Sequence, residues 1–531
     1  AMCLALWPAL ASAQTSAIAG EVKDTSGAVL PGVTVDVSSP ALIEKTRSAV
    51  TDGAGQYKIT ALRPGVYSVT FTLPGFSVVK RENVELTSDF TATINADMKI
   101  GAVEETITVA AESPIVDVQN VTTRTVMTRD VLDAIPTGRN IQAVGIMIPG
   151  TNVSFGGGNA LNRDVGGSGN LQQSPLNYKG SNDAVQTVEG MRLNNLCANG
   201  AYSGVYWNDG SWEQISYVTG ADSAEMAQGG IRVNMIPRDG GNTFRGVVVG
   251  NYTTGNWQSD NLRSNLAGDL TFNPSNRLTN ISVIDKIWDF NPSVGGPIVK
   301  DKVWWQGTFR HWGVNKTTAD SFFNSLGPTS LRYIADATRP GIDDGHIVSR
   351  AGRVTWQVSN KDKISYYHDY LVSPEAAGVQ VTPTSFVSVS KWTRTQSNKL
   401  LFDVGFAMYD QEYTELYQPS VTGLNDKIWD PASIAASKVY SLTEQTNGKI
   451  FNAWNAPADH FSILRTYMGS ASYVTGSHAF KFGGSLSEGP RRTVEQFTGD
   501  LTMTISALNA TCGAPPCPQA VTLRTRRDQR E

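Results

Sequence analysis

Two kinds of alternation run along this chain. Leu400, Phe402, Val404, Phe406 and Met408 alternate with Leu401, Asp403, Gly405, Ala407 and Tyr409, so an extended strand here has one uniformly apolar face. Val303, Trp305, Gly307 and Phe309 likewise alternate with Trp304, Gln306, Thr308 and Arg310, and Phe480 and Phe482 with Lys481 and Gly483. These runs come near the roughly 9–11 residues that a strand needs to cross a bilayer with its apolar face on lipid. Towards the start of the chain the runs are shorter: Ile18 to Asp24, Val33 to Val37, Tyr57 to Ile59 and Tyr67 to Phe71. Asp52-Gly53, Pro64-Gly65 and Pro74-Gly75 separate them, which is the pattern of a small all-β sandwich.

Between these regions the period changes. Thr128 to Pro136 predicts a short helix capped by Thr128, with Val131, Leu132 and Ile135 on its apolar face, and Arg139 to Gly150 predicts a second. The Gly/Asn-rich stretch from Gly156 to Gly169 predicts a loop without phosphate-binding spacing. In the C-terminal half, tight turns at Val299 to Lys302, Ser359 to Lys363 and Gly476 to His478 contrast with long polar connections near 256–286, 314–349, 372–395 and 412–464. Short turns on one side and long loops on the other are what an outer-membrane barrel shows. The expected organisation is a partial signal peptide at 1–13, a sandwich at 14–100, a linker at 101–111, an α+β region at 112–240 and the N-terminal part of a barrel at 241–531. The fold class is therefore mainly β.

Composition narrows the function. With 44 Lys and Arg against 48 Asp and Glu the net charge is −4, which removes non-specific nucleic-acid binding. Nine of the 12 Trp lie after residue 243, where aromatic girdles are expected at the two membrane interfaces. No run of 18 or more apolar residues exists, which excludes a helical span but not a barrel. The apolar segment ending Ala11-Ser12-Ala13 predicts export with cleavage before Gln14. The chain opens on Ala1 without a charged region before that segment, and ends on Arg530-Glu531 rather than an aromatic residue, so a reading frame cut at both ends is expected. In an oxidising compartment Cys512 and Cys517, spaced by a Pro-rich turn, are a candidate disulfide, and Cys197 reads as a buried thiol. The five His, at 311, 346, 368, 460 and 478, fall in no zinc-ligand spacing, and no P-loop or nucleophile elbow occurs. Neither an enzyme, a metal nor a cofactor is expected.

Several motifs keep a known order. Gly20-x-Val22-x-Asp24-x-x-Gly27, Leu30 to Val33, Thr51-Asp52-x-x-Gly55-x-Tyr57 and Leu62-x-Pro64-Gly65-x-Tyr67 resemble the carboxypeptidase regulatory-like domain, a transthyretin-like, carbohydrate-binding-like fold. Glu105, Thr106, Ile107, Thr108 and Val109 follow as a β-branched segment suited to an edge strand that a partner extends. Read alone, an ordinary linker or the last strand of the sandwich is the favoured reading, because this composition is common in β proteins. Next come Arg139-Asn140 to Pro149-Gly150, the hairpin signals Lys179-Gly180 and Glu189-Gly190, and the Gly229-Gly230 to Gly240-Gly241-Asn242 ending. This succession is similar to the plug of TonB-dependent outer-membrane receptors, and Phe290 to Trp305 looks like the first barrel hairpins of the Oar-like branch.

That resemblance implies that residues 105–109 are a TonB box, with TonB as the periplasmic partner, and that the sandwich and the box lie in the periplasm. It implies energy-coupled uptake of a siderophore, oligosaccharide or peptide across the bacterial outer membrane, the solute itself left open, and a wall in contact with lipid. Two other readings stand beside it. One is a non-transporting surface protein for adhesion or secretion. The other is a carbohydrate-binding module in the sandwich, which needs exposed aromatics, whereas Tyr57, Tyr67 and Phe76 sit where core packing is expected.

Overall fold

In a computed structural model the chain forms three bodies of β-structure. Described are residues 16–101, 106–110, 123–153, 176–258, 283–415, 430–506, 517–523 and 527–530, apart from short stretches at 40–41, 43–44, 63, 88–90, 182–183, 195, 197–204, 221–229, 374–379, 398–399, 445–449, 453–457, 476–477 and 498–500. The expected signal segment, Glu105, Cys197 and Cys512 lie outside the described residues. Cys517 opens a strand, but its side chain is also outside them.

The first body contains β1 (Ser16–Asp24), β2 (Thr34–Ser38), β3 (Thr46–Val50), β4 (Gln56–Leu62), β5 (Gly65–Thr72), β6 (Val78–Leu86), β7 (Thr91–Thr93), β8 (Ala96–Met98) and β9 (Thr106–Ala110). One sheet has the order β4-β1-β7, with β8 also on β1; the other runs β3-β2-β5-β6-β9. The alternation of β5 sends Tyr67, Val69 and Phe71 inward, where they meet Val35, Val37, Ile18 and Tyr57 in one buried cluster. Tyr57 stacks edge-on against Phe71 at 5.7 Å and its hydroxyl donates to the Ile94 carbonyl at 2.7 Å. With Tyr57 and Tyr67 buried and Phe76 packed against the same core, these aromatics form no exposed sugar platform. The turn before β4 follows from Asp52, whose carboxylate accepts from Ala54 N and Gln56 N at 2.9 and 3.0 Å. Gly55 then adopts φ +71°, and a Cβ there would come within 2.8 Å of the Val22 carbonyl oxygen.

The second body stands where the plug is expected and contains β10 (Thr123–Thr128), α1 (Arg129–Ala134), α2 (Ile141–Gly145), β11 (Thr151–Val153), β12 (Leu176–Tyr178), β13 (Ala184–Val188), β14 (Met191–Arg192), β15 (Trp212–Gly220) and β16 (Ile231–Pro237). Its central sheet has the order β10-β15-β16-β13-β14. Asn140 caps α2 by accepting from Ala143 N at 2.7 Å. Thr128 stands at the start of α1 but makes no side-chain cap, and of the α1 residues only Leu132 is buried. Arg129 at its start pairs with Asp133 and Asp209, while Leu132 of the predicted face joins the core.

The third body is an eleven-stranded antiparallel wall. Its strands are β17 (Arg245–Thr254), β18 (Ile284–Val299), β19 (Val303–Asn324), β20 (Ala335–Gln357), β21 (Asp362–Ser373), β22 (Gln380–Ser397) and β23 (Leu400–Glu415). After α3 (Pro431–Ala436), β24 (Ser441–Glu444) and β25 (Ile450–Phe451), the wall continues with β26 (Ala458–Thr475), β27 (His478–Glu488), β28 (Arg491–Glu495) and, past β29 (Leu501–Ser506) and β30 (Cys517–Leu523), β31 (Arg527–Arg530). A small separate sheet joins β25-β24-β29-β30.

On β23 the predicted split holds: Leu401, Asp403, Ala407 and Tyr409 are buried on the inner face, while Val404 is exposed on the outer. Cross-strand register lines up Val303, Trp356, Ile364, Trp392 and Val404 in one outer row, and Tyr252, Trp288, Gly313 and His346 in another. On β19 these rows are ten residues apart (313 − 303), the length of a tilted strand across a bilayer, and Trp marks both. The connections differ from expectation. β19 has 22 residues and β20 has 23, so most of 314–349 is paired strand and the hairpin turns only within 325–334. Polar residues keep pairing past these rows because ladder hydrogen bonds do not depend on side-chain polarity.

Candidate functional site

Two places in the molecule combine predicted function with specific geometry: the strand β9, and the joint between plug and wall.

Thr106, Ile107, Thr108 and Val109 lie in β9. Their backbone runs parallel to β6, with Val78 opposite Thr106, Val79 opposite Ile107, Lys80 opposite Thr108, Arg81 opposite Val109 and Glu82 opposite Ala110. The two expectations for this segment, last sandwich strand and edge strand, thus coincide, since β9 ends the order β3-β2-β5-β6-β9. The opposite edge behaves differently. Arg47 on β3 is buried and donates from Nη2 to Thr395 Oγ1 of the wall at 3.3 Å.

The plug–wall joint is built from charges on strand faces that alternation turns inward. Arg310 on β19 is 1% exposed and forms a two-pronged pair with Asp289 on β18, at 3.0 Å from Nε and 2.7 Å from Nη2. Its Nη1 donates to the plug carbonyls of Arg139 and Trp207 at 3.0 and 3.3 Å. Arg139 in turn reaches Asp209 at 2.9 Å, and Arg129 reaches both Asp209 and Asp133. Burial works against the Arg129 charge, but Asp209 and Asp133 more than offset it and the pKa is raised. Neutral bridges flank the charges: Asn208 to Ser349 at 3.0 Å, and Ser211 to Thr308 at 3.0 Å.

A second cluster lies nearer the tight turns. Glu189 and Gly190 form the β13–β14 hairpin with φ of 51° and 84°, the conformation of a two-residue primed turn. That turn aims the Glu189 carboxylate at Arg353 of β20, at 2.8 Å. Arg353 also holds Asp239 at 2.6 Å, and Thr355 and Lys363 close on the same carboxylate. Beside it the Gly240-Gly241-Asn242 motif finds its reason. A Cβ on Gly240 would stand 2.3 Å from the Trp305 carbonyl oxygen, and Asn242 Oδ1 accepts from Trp304 Nε1 at 2.7 Å and from Asp301 N at 2.9 Å. A cavity of about 730 Å³ spans this region, lined by Leu42 and Leu62 of the sandwich, Glu189 and Asp239 of the plug, and Arg353 and Asp403 of the wall.

Apolar packing is continuous across the joint. Trp212 of the plug packs against Trp207 at 5.5 Å and against Tyr367 of the wall at 5.4 Å. Ile347, Val387, Ala407 and Leu464 of the wall belong to the same buried cluster as Val188, Ile215 and Val233 of the plug. Sequence reasoning placed Arg310 and Asp403 on polar strand faces but missed the pairing of Arg310 with Asp289 and of Arg353 with Glu189 and Asp239. The available signal was a charge inside a membrane-strand pattern, which demands a partner.

Residues 17–99 match the carboxypeptidase regulatory-like domain. Over 388 residues, 68% of this chain, the sequence is 26% identical to the TonB-dependent transporter Oar of Myxococcus xanthus. The chain spans about a third of that relative's length, 34%. Among solved structures, the outer membrane transporter YddB from Escherichia coli aligns over 77% of this chain and 52% of its own, with 13% identity and a TM-score of 0.48. The alcaligin outer membrane receptor FauA from Bordetella pertussis aligns over 71% and 48%, with 10% identity and a TM-score of 0.43.

Proposed function

We infer that this chain is a TonB-dependent outer-membrane receptor of the Oar-like branch and serves energy-coupled uptake of a solute. One observation carries the reading. The plug shares a core and buried ion pairs with the inner face of a membrane wall, so a solute passes only if work is done on the plug. Residues 105–109 are the proposed point where that work enters. In this reading the periplasmic TonB protein pairs with the segment as a strand, the sandwich and tight turns face the periplasm, and the outer rows of Val, Trp and Tyr meet lipid. No side chain performs covalent chemistry. The regions proposed are the sandwich at 14–100, the linker with the TonB box at 101–111, the plug at 112–240 and the wall from 241. Cys512 and Cys517 remain a proposed disulfide, testable by thiol titration before and after reduction.

The test is binding of the TonB periplasmic domain to the full chain, native against Ile107→Pro, which removes a strand donor. Loss of binding on substitution is the expected result. If the native chain does not bind, the plugged wall lacks this motor, and a non-transporting surface protein becomes the better reading.

A further inference from the structure

We propose that β9 receives its partner without leaving the sandwich: a TonB strand adds to the outer edge of β9 while the inner edge stays paired with β6. The proposal rests on the TonB-box reading of residues 105–109 and adds that the regulatory-like domain is itself part of the docking surface.

A strand offers hydrogen-bonding groups along two edges. Five consecutive residue pairs, from Val78 with Thr106 to Glu82 with Ala110, commit one edge of β9 to β6. Beyond β9 no further strand follows in this sheet among the described residues. β6 is itself anchored, because it pairs with β5 on its other side and buries Val79, Val84 and Leu86 in the sandwich core. β9 is thus held extended by a folded domain.

The two edges of this sheet are managed differently, and the difference selects the occupant. Natural edge strands are protected by charge, proline or cover. The β3 edge has such protection, since Arg47 docks on Thr395 of the wall. Thr106 to Ala110 contains no charged residue, proline or glycine. An uncharged edge of this kind fits an extended chain, which it recognises through main-chain hydrogen bonds.

Fixing a free segment as a strand costs about 1–2 kcal/mol of backbone entropy per residue, and a partner that binds the free segment must supply it. In β9 the sandwich has already supplied it, which is preorganisation. The sandwich then raises affinity for TonB instead of competing with it.

The experiment locks β9 to β6 with a disulfide between Glu82→Cys and Ala110→Cys. These positions are register partners, and neither lies within 105–109. TonB periplasmic-domain binding to the full chain is measured oxidised and reduced, beside the native chain and Ile107→Pro. Oxidised protein that binds as tightly as reduced protein, within about threefold, or more tightly, supports the proposal. A tenfold or greater loss on oxidation, recovered on reduction, overturns it, because the strand must then leave the sheet to bind. Failure of the disulfide to form also overturns it, as β9 would not lie beside β6. Self-association through this edge, lost in Ile107→Pro while TonB has no effect, assigns it to a second copy and overturns it. Absence of TonB binding in the native chain is the separate result that removes the TonB-box reading itself.

Discussion

The sandwich and the wall are both β-sheets with alternating side chains, yet the alternation means opposite things in them. On β5 the apolar residues Tyr67, Val69 and Phe71 point into the domain. On β23 the exposed Val404 points away from the plug, while Asp403 is buried beside Thr393 and Lys391. Polar and charged groups thus take the interior of the wall, including Arg310, Arg353 and Asp369 at 1, 3 and 0% exposure. Alternation fixes which residues share a face. What lies against the face, water or lipid, decides which one is outside.

The comparison breaks most severely if a charge is placed in the sandwich core. Val69→Asp, at a position with 0% exposure, is expected to destabilise the domain by about 5 kcal/mol. Limited proteolysis should then cut within 17–99 while the wall stays protected.

Removing a charge from the interior of the wall is next in size. Asp289→Ala leaves Arg310 buried without its carboxylate, at a cost of about 3–5 kcal/mol. Denaturant unfolding in detergent reads this loss. The exposed sandwich pair Lys80–Glu82 supplies the contrast, because its removal is expected to cost about 0–1 kcal/mol.

The sharpest form compares two valines of similar exposure. Val66 of the sandwich and Val294 of the wall are 50% and 45% exposed, and Val294 stands opposite Gly307, between the two outer rows. If that face meets lipid, Val294→Lys is expected to cost about 2–4 kcal/mol in a bilayer. Val66→Lys is expected to stay within about 0.5 kcal/mol, because water solvates it. Equal effects in reconstituted vesicles would show that the outer face of β18 is not on lipid.

The smallest effect concerns the hydroxyl of Tyr57. Tyr57→Phe loses one buried hydrogen bond, about 1 kcal/mol by thermal unfolding near neutral pH. Burial raises the Tyr57 pKa above its ordinary 10.0. The neutral phenol therefore stabilises the fold fully below pH 10, and that contribution is lost as pH rises through the raised value. Alkaline titration should accordingly show a steeper loss of stability in the native protein than in Tyr57→Phe.

Local patterns were legible where one residue and its neighbours settle the matter. The outer face of 400–409, the sandwich turns at Asp52 and Gly55, the Asn140 cap and the Glu189-Gly190 hairpin are of this kind. Features that depend on distant partners were not. Glu189 meets Arg353 across 164 residues, and nothing in either local sequence specifies the other. β9 pairs with β6 in parallel, which no turn signal announces. The long strands β19 and β20 are hidden in the sequence because their outer portions are polar and carry the composition of a loop. Thr128 shows the reverse error, a correct cap position without the cap hydrogen bond.

The shared core of plug and wall decides how the plug can yield. Pulling it out whole would expose Trp212, Ile215 and Val233 together with their wall partners, at about 25 cal/mol per Å² of apolar surface, and would strand Arg310 and Arg353. The margin is far weaker. Among the described residues β10 lies at the border of the plug sheet and pairs with β15 alone, and α1 behind it buries just Leu132. It is also the first plug strand after β9 along the chain. Traction from that side unravels a seam at its loose end while the stitched centre holds. Amide exchange under load should therefore quicken in 123–128 before it does in 231–237, and the reverse order would mean that the body gives way as one piece.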